Sequence, residues 1–294
     1  MIECIPNISE GRRRHVIETI ASVIRKVPGV TLLDVHSDVD HNRSVFTFVG
    51  QPEPVLEAAF QLVDSAAQHI DMHMHRGQHP RIGATDVLPL VPLSGISLQE
   101  CAHMAARLGQ RIGEELAIPV YLYEAAATCP ERRELPVLRR GEFEGLATAI
   151  ETDPQRKPDY GPARLGSAGA TIVGARNPLI AYNVYLTSND IKIAKAIARA
   201  IRGSSGGLRG VRALGLLVGG QAQVSMNLTD YKTTPLHRVI DMIAREAASY
   251  GVSIAASELV GLIPEDALLD AARYYLRLHT FKSSQILEWR IRDQ

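Results

Sequence analysis

The 294-residue chain balances 32 Lys and Arg against 32 Asp and Glu, so its formal net charge is zero, and 46% of its residues are hydrophobic. With no polybasic run, it lacks the footprint of a nucleic-acid binder, and no apolar stretch reaches the length of a membrane span. The length allows two subdomains with separate cores, and the three widely spaced cysteines, Cys4, Cys101 and Cys129, suit a reducing compartment. An N-terminus without a charged leader before a long apolar run adds the expectation of a soluble, cytoplasmic protein.

Residues 2–8 read as a short strand ending at Pro6-Asn7. A helix is expected over 12–26, with Val16, Ile17, Ile20 and Ile24 at helical spacing and Pro28-Gly29 as its stop. Strands follow at 30–35 and 44–49, rich in branched and aromatic residues, then a helix at 54–70 and an apolar strand at 84–93. Ser97 and Glu100 have capping-box spacing for a helix over 98–116. Residues 119–123 form a strand, 129–159 read as a charged, partly helical connecting arm, and 171–174 return to strand.

The second half repeats this order: strand 179–186, helix 189–201, strand 211–218, strand 221–228, helix from Pro235, strand 252–256 and a final helix from Pro264. Thr233-Thr234-Pro235 reads as a threonine cap with proline at the first helical position. Both halves are β-α-β-β-α-β, the split βαβ order of an α+β fold made of two ferredoxin-like subdomains. Two such units leave two bare sheet faces to pack together or to face a ligand. The glycine-rich stretch 161–170 is a candidate boundary, with a second composition shift at Arg176-Asn177-Pro178; the subdomains are placed at 1–178 and 179–294. No sequence identity between the halves marks a repeat.

The stretch 75–87 concentrates imidazole, guanidinium and carboxylate groups in a loop before a strand. Pro80 disfavours helix at His79, and a loop histidine fixed by a strand end is placed to act as a general base; the alternative is an idle surface loop. His73, His75 and His79 with Asp86 invite a zinc reading, but Pro80 keeps His75 and His79 off a common helical face, and no second cluster supplies a fourth ligand. No metal is therefore assigned. Asp38, Asp40, His41, Asn42 and Arg43 form either a solvated hairpin or a second piece of a site. The loop Gly161, Pro162, Ala163, Arg164, Leu165, Gly166, Ser167, Ala168, Gly169 and Ala170 lacks dinucleotide spacing and a P-loop lysine. Its glycines either make turns or let a flat ligand approach the backbone. Residues 221–227 and Asp230 either line a pocket or form a polar strand face.

Five segments, in order, resemble the glutamate formimidoyltransferase family: Cys4-Ile5-Pro6-Asn7-Ile8-Ser9-Glu10-Gly11; Asp40-His41-Asn42-Arg43; Gly77-Gln78-His79-Pro80-Arg81-Ile82-Gly83-Ala84; Gly169-Ala170-Thr171 with Gly174-Ala175-Arg176; and Glu258-Leu259-Val260-Gly261-Leu262-Ile263-Pro264. The match runs nearly end to end and is to the single-activity form without a cyclodeaminase domain. The resemblance implies transfer of the formimidoyl group between N-formimidoyl-L-glutamate and tetrahydrofolate as co-substrate, in histidine degradation and one-carbon metabolism. It also implies facing sheets with a ligand tunnel between them, a homodimer formed through the first subdomain, and a separate cyclodeaminase downstream.

By the same resemblance His79 is the catalytic histidine and the folate-contacting loop falls on Gly161 to Ala170. That loop is shorter than in the two-activity animal proteins and lacks their aromatic residue. Asp40, His36 and His41 are candidates to orient or stabilise the reacting group, Asp40 foremost because it adjoins Asn42-Arg43. Arg43, Arg81 and Arg176 are candidates to bind substrate or folate carboxylates by paired hydrogen bonds. Three other readings remain: a formyltransferase using 5-formyltetrahydrofolate and glutamate, a metal-dependent hydrolase using His73, His75 and His79, and a non-catalytic folate-binding protein.

Overall fold

In the computed structural model, which describes residues 1–292, the N-terminal segment forms two short strands, β1 (Ile2–Cys4) and β2 (Asn7–Ile8), where a single strand is expected. Pro6 has no N–H to contribute to a ladder, so the strand breaks there. The first helix, α1 (Arg14–Arg25), buries the expected stripe of Val16, Ile17, Ile20 and Ile24. It is followed by β3 (Val30–Asp38), β4 (Arg43–Gly50), α2 (Pro52–His69) and β5 (Thr85–Pro92). Both β1 and β2 lie between β4 and β5. The capping box forms as expected at the start of α3 (Leu98–Glu115): the Ser97 hydroxyl accepts from the Glu100 N–H, and the Glu100 carboxylate accepts from the Ser97 N–H.

The first unit, residues 1–177, is completed by β6 (Val120–Glu124), α4 (Leu135–Leu138), α5 (Glu142–Thr152) and β7 (Thr171–Ala175). Its strands are ordered β3-β4-β1/β2-β5-β7-β6, with β5, β7 and β6 parallel. One face carries Phe46, Phe48, Leu88, Leu90 and Leu122, packed with residues of α1, α2 and α3. On the other, Val87, Tyr121, Tyr123 and Ile172 pack with Leu138 of α4 and Leu146 and Ile150 of α5. Covered on both faces, β5 is buried over nearly its whole length, which is why it reads as a continuous apolar run. The segment expected as a connecting arm is thus a second covering layer. The loop 161–170, whose composition suggests a boundary, lies inside this unit; Gly169 bridges Gly83.

The second unit, which begins at residue 178, contains β8 (Ile180–Leu186), α6 (Ile191–Ile201), β9 (Val211–Val218), β10 (Gln221–Leu228), α7 (Leu236–Ser249), β11 (Ile254–Val260), α8 (Glu265–Tyr275) and α9 (Leu287–Arg292). Its sheet is antiparallel throughout, in the order β11-β8-β10-β9. Three expectations need correction. Pro235, not a threonine, is the residue before α7, and no side chain caps the helix; the Thr234 hydroxyl instead ties the entry to the helix by donating to the Arg209 carbonyl. The last strand runs to Val260, beyond the expected 252–256, because its ladder to β8 continues as far as Ala181. The helix from Pro264 is not the last, since α9 follows it. Among the described residues no helix is long and apolar enough to cross a membrane.

Candidate active site

The loop between α2 and β5 is held against the β3–β4 hairpin and against the end of the 161–170 loop by backbone approaches that only glycine permits. A Cβ on Gly77 would stand 2.2 Å from the His41 carbonyl oxygen, and one on Gly83 2.0 Å from that of Ala170. Asn42, buried at the hairpin turn with φ of 50°, fastens both sides. Its side chain accepts from the Gly11 N–H at 2.9 Å and donates to the Arg76 carbonyl at 3.0 Å, while its own carbonyl accepts from His75 Nε2 at 3.0 Å. Ser9 closes the frame by donating to the Gly83 carbonyl at 2.7 Å.

Within this frame His79 is half-buried. Its Nδ1 lies 2.7 Å from the Pro80 carbonyl, which can only accept, so Nδ1 carries the proton and Nε2 its lone pair. That lone pair faces a guanidinium N–H of Arg43, whose other terminal nitrogen donates to Asn7 Oδ1. Burial first, then the positive charges of Arg43 and Arg139, hold the His79 pKa well below its ordinary value; His79 is therefore neutral at pH 7. Burial and the charge of Arg139 bring Arg43 down to about 9, still protonated at neutral pH, while Asp86 and Asp38 oppose the shift.

Arg139, at the end of α4, is a site residue that the sequence does not announce, because it lies in the segment read as an arm. It pairs with Asp86, whose other oxygen accepts from the Ile82 N–H at 2.9 Å. The Nε atoms of both Arg43 and Arg139 are buried without a partner. Two guanidiniums with donors to spare, beside a neutral imidazole, form a setting for an anionic substrate undergoing proton transfer.

The remaining expected residues fall in several places. Asp40 is exposed at the hairpin tip, where its carbonyl accepts weakly from the Gln78 N–H at 3.4 Å. Asp38, two residues earlier, is the carboxylate that reaches the site: it accepts from the His41 N–H at 2.7 Å and lies 3.4 Å from His41 Nδ1. The His41 ring meets His79 edge-on, with centroids 6.0 Å apart. Register pairs His36 with Val45 and Asp38 with Arg43, placing His36 on the same sheet face as Arg43.

Arg81 is not open to a substrate carboxylate, contrary to expectation. It is 6% exposed, donates to both Glu142 and Glu144 of α5, and its Nε donates to His75 Nδ1 at 3.2 Å. Arg176 sits at the opposite end of the sheet, its N–H on the Leu90 carbonyl and its side chain on the Asn177 carbonyl. The loop from Gly161 to Ala170 borders the His79 loop at one end only: Met72 N–H donates to Ser167, Ala84 N–H to Ala168, and Ala170 N–H to Ile82. Gly169 and Ala170 are buried there, whereas Gly161, Ala163, Arg164, Gly166 and Ser167 are exposed and Pro162, Leu165 and Ala168 half-buried.

The three histidines of the zinc reading diverge. His73 is exposed with its ring edge-on to Phe143, at a centroid distance of 5.1 Å, and His75 is tied to Asn42 and Arg81. Among the described residues no three His, Cys, Asp or Glu side chains come together in a way that could hold a metal ion.

Residues 1–176 match the model of the formiminotransferase domain, N-terminal subdomain, and residues 181–289 that of the formiminotransferase domain. The chain is 47% identical over 292 residues to glutamate formimidoyltransferase of Streptococcus pyogenes serotype M1, covering 98% of this chain and 97% of that protein. It is 48% identical over 292 residues to glutamate formimidoyltransferase of Thermoplasma acidophilum, covering 98% and 96%. Formimidoyltransferase-cyclodeaminase of Gallus gallus is 44% identical over 286 residues, which is 94% of this chain but 52% of that longer protein. With both halves matched by its subdomain models, the chain belongs to the formiminotransferase family.

Proposed function

We propose that this protein is a glutamate formimidoyltransferase, moving the formimidoyl group between N-formimidoyl-L-glutamate and tetrahydrofolate to give 5-formimidoyltetrahydrofolate and glutamate. The observation that carries the mechanism is the neutral His79, with Nδ1–H fixed on Pro80 and Nε2 facing Arg43. Nε2 takes the proton of the attacking secondary amine as it adds to the formimidoyl carbon, and returns one to the departing glutamate nitrogen. Because the imidazole is held neutral, this step needs no prior loss of a proton at pH 7.

Arg43 and Arg139 are assigned to substrate carboxylate, their unpaired Nε–H groups supplying donors that a planar carboxylate can meet. Asp38 takes the orienting role first given to Asp40, acting on His41 and Arg43. Arg81 acts as a brace between the His79 loop and α5. Arg176 and the exposed part of the Gly161–Ala170 loop are assigned to the more distant parts of the folate, with Gly169 and Ala170 shaping the loop. Each unit is read as a ferredoxin-like subdomain, the first extended by β6 and β7. A homodimer, a cytoplasmic location and a separate cyclodeaminase for the product belong to the same reading.

The test is turnover by wild-type protein of tetrahydrofolate with N-formimidoyl-L-glutamate, run beside 5-formyltetrahydrofolate with glutamate. Formimidoyl transfer at the higher kcat/KM is the expected result; turnover of the second pair alone makes the protein a formyltransferase, and folate binding with turnover of neither makes it a binding protein.

A further inference from the structure

The second unit carries a polar cluster that proton transfer at His79 does not use. Alternation along β8 and β10 sends Ile180, Val184 and Leu186, with Ala222, Val224 and Met226, into the core shared with α6 and α7. Asn183, Tyr185 and Gln223 therefore project from the opposite face of the sheet. Glu258 of β11 stands across from Asn183 on that face. Its Oε2 accepts from Asn183 Nδ2 and from the Tyr185 hydroxyl, each at 3.0 Å, while its Oε1 accepts from no group among the described residues. Two donors thus fix the carboxylate and leave one oxygen uncommitted. Two strands across on the same face, Gln223 is 2% exposed and its Oε1 has no partner. A buried acceptor left unpaired is unfavourable in a finished fold, and a donor brought by a ligand would satisfy it.

The geometry points to an acceptor subsite on this face, Glu258 with Gln223, for a planar N–C–N group bearing N–H donors. A fixed carboxylate is complementary to such a group, because it accepts N–H bonds and balances any positive charge the group carries. The two strand spacings between Glu258 and Gln223, roughly 10 Å, allow both acceptors to meet one extended ligand. Resting on the reaction proposed above, two sources carry this chemistry: the 2-amino-pyrimidinone edge of the pterin, and the formamidine of formimidoylglutamate.

The experiment measures the Kd of 5-formyltetrahydrofolate and the KM of each substrate on the full chain. The variants are Glu258→Leu, which removes the acceptor, Glu258→Gln, which keeps one carbonyl oxygen, and Gln223→Leu, which removes an acceptor with no partner in the fold. Glu258→Leu is expected to weaken one ligand tenfold or more, Glu258→Gln by less, with the loss in Kd or KM and not in kcat. A loss confined to folate assigns the pterin, and one confined to formimidoylglutamate assigns the amidine. Should Glu258→Leu fail to fold, Gln223→Leu and Glu258→Gln carry the same expectation of weaker binding. Wild-type Kd and KM for both ligands in folded variants would overturn the subsite. Absence of formimidoyl transfer by the wild type would overturn the reaction instead, and the folate titration would still test the carboxylate.

Discussion

Arg43 donates from its guanidinium to Nε2 of His79, the ring nitrogen left free once Pro80 has taken Nδ1–H. A positive charge on the lone pair of a base has two consequences: it keeps the proton off, and it must be drawn aside by a substrate carboxylate before the base can act. The acid limb of kcat/KM is therefore expected well below the ordinary histidine value, about 6.5. In Arg43→Gln that limb should move up toward it, since one cause of the depressed pKa is removed while burial remains. A limb at the same pH in both proteins would detach Arg43 from the titration of the base.

Linkage gives the same group a stability signature. The folded-state pKa of His79 is lowered, so below about 6.5 the unfolded chain binds the proton more readily than the native state. Its contribution is fully present above that value and is lost as pH falls toward the folded pKa. Chemical denaturation of His79→Gln against pH should show a flatter slope than wild type below pH 6.5; parallel slopes would count against a depressed pKa.

Arg81 is expected to affect stability more than substrate affinity. Burial of Arg81 against His75, with half-exposed Glu142 and Glu144 as its ion-pair partners, makes Arg81→Met a loss of about 1–2 kcal/mol, below the scale of a fully buried pair. Glu144, pushed down to about 2 chiefly by its hydrogen bonds from Arg81, supplies support present above about pH 4.3 and lost as pH falls toward 2. A KM rise for formimidoylglutamate in Arg81→Lys with unchanged stability would return Arg81 to a substrate-binding role.

Arg139 provides the complementary test. Its Nε is buried without a partner beside His79, so Arg139→Gln should raise KM for the carboxylate-bearing substrate about tenfold or more. Part of any loss will be structural, because Asp86 also loses its partner; comparison with Asp86→Asn separates the two. An unchanged KM in folded Arg139→Gln would confine Arg139 to the ion pair.

Local signals in the sequence give the elements but only part of the site. Ser97 and Glu100 are three residues apart and form their capping box, and the β-α-β-β-α-β order appears intact in the second unit and extended in the first. Gly77 and Gly83 permit the tight backbone of a loop, and the partners they approach, His41 and Ala170, come from distant parts of the chain. What the sequence conceals depends on distant partners. Arg81 meets Glu142 and Glu144 some sixty residues away, and Arg139 enters the site from a segment with no clear periodicity. Asp40 and Asp38 are indistinguishable as letters; the turn at Asn42 turns one toward water and the other toward His41.

The most direct measurement is single-turnover formimidoyl transfer from N-formimidoyl-L-glutamate to tetrahydrofolate by wild type and His79→Ala, with folding of the variant checked by its melting temperature. Loss of the base should slow transfer by about a hundredfold or more while folate still binds. Transfer at the wild-type rate by folded His79→Ala would contradict the central claim that His79 moves the proton.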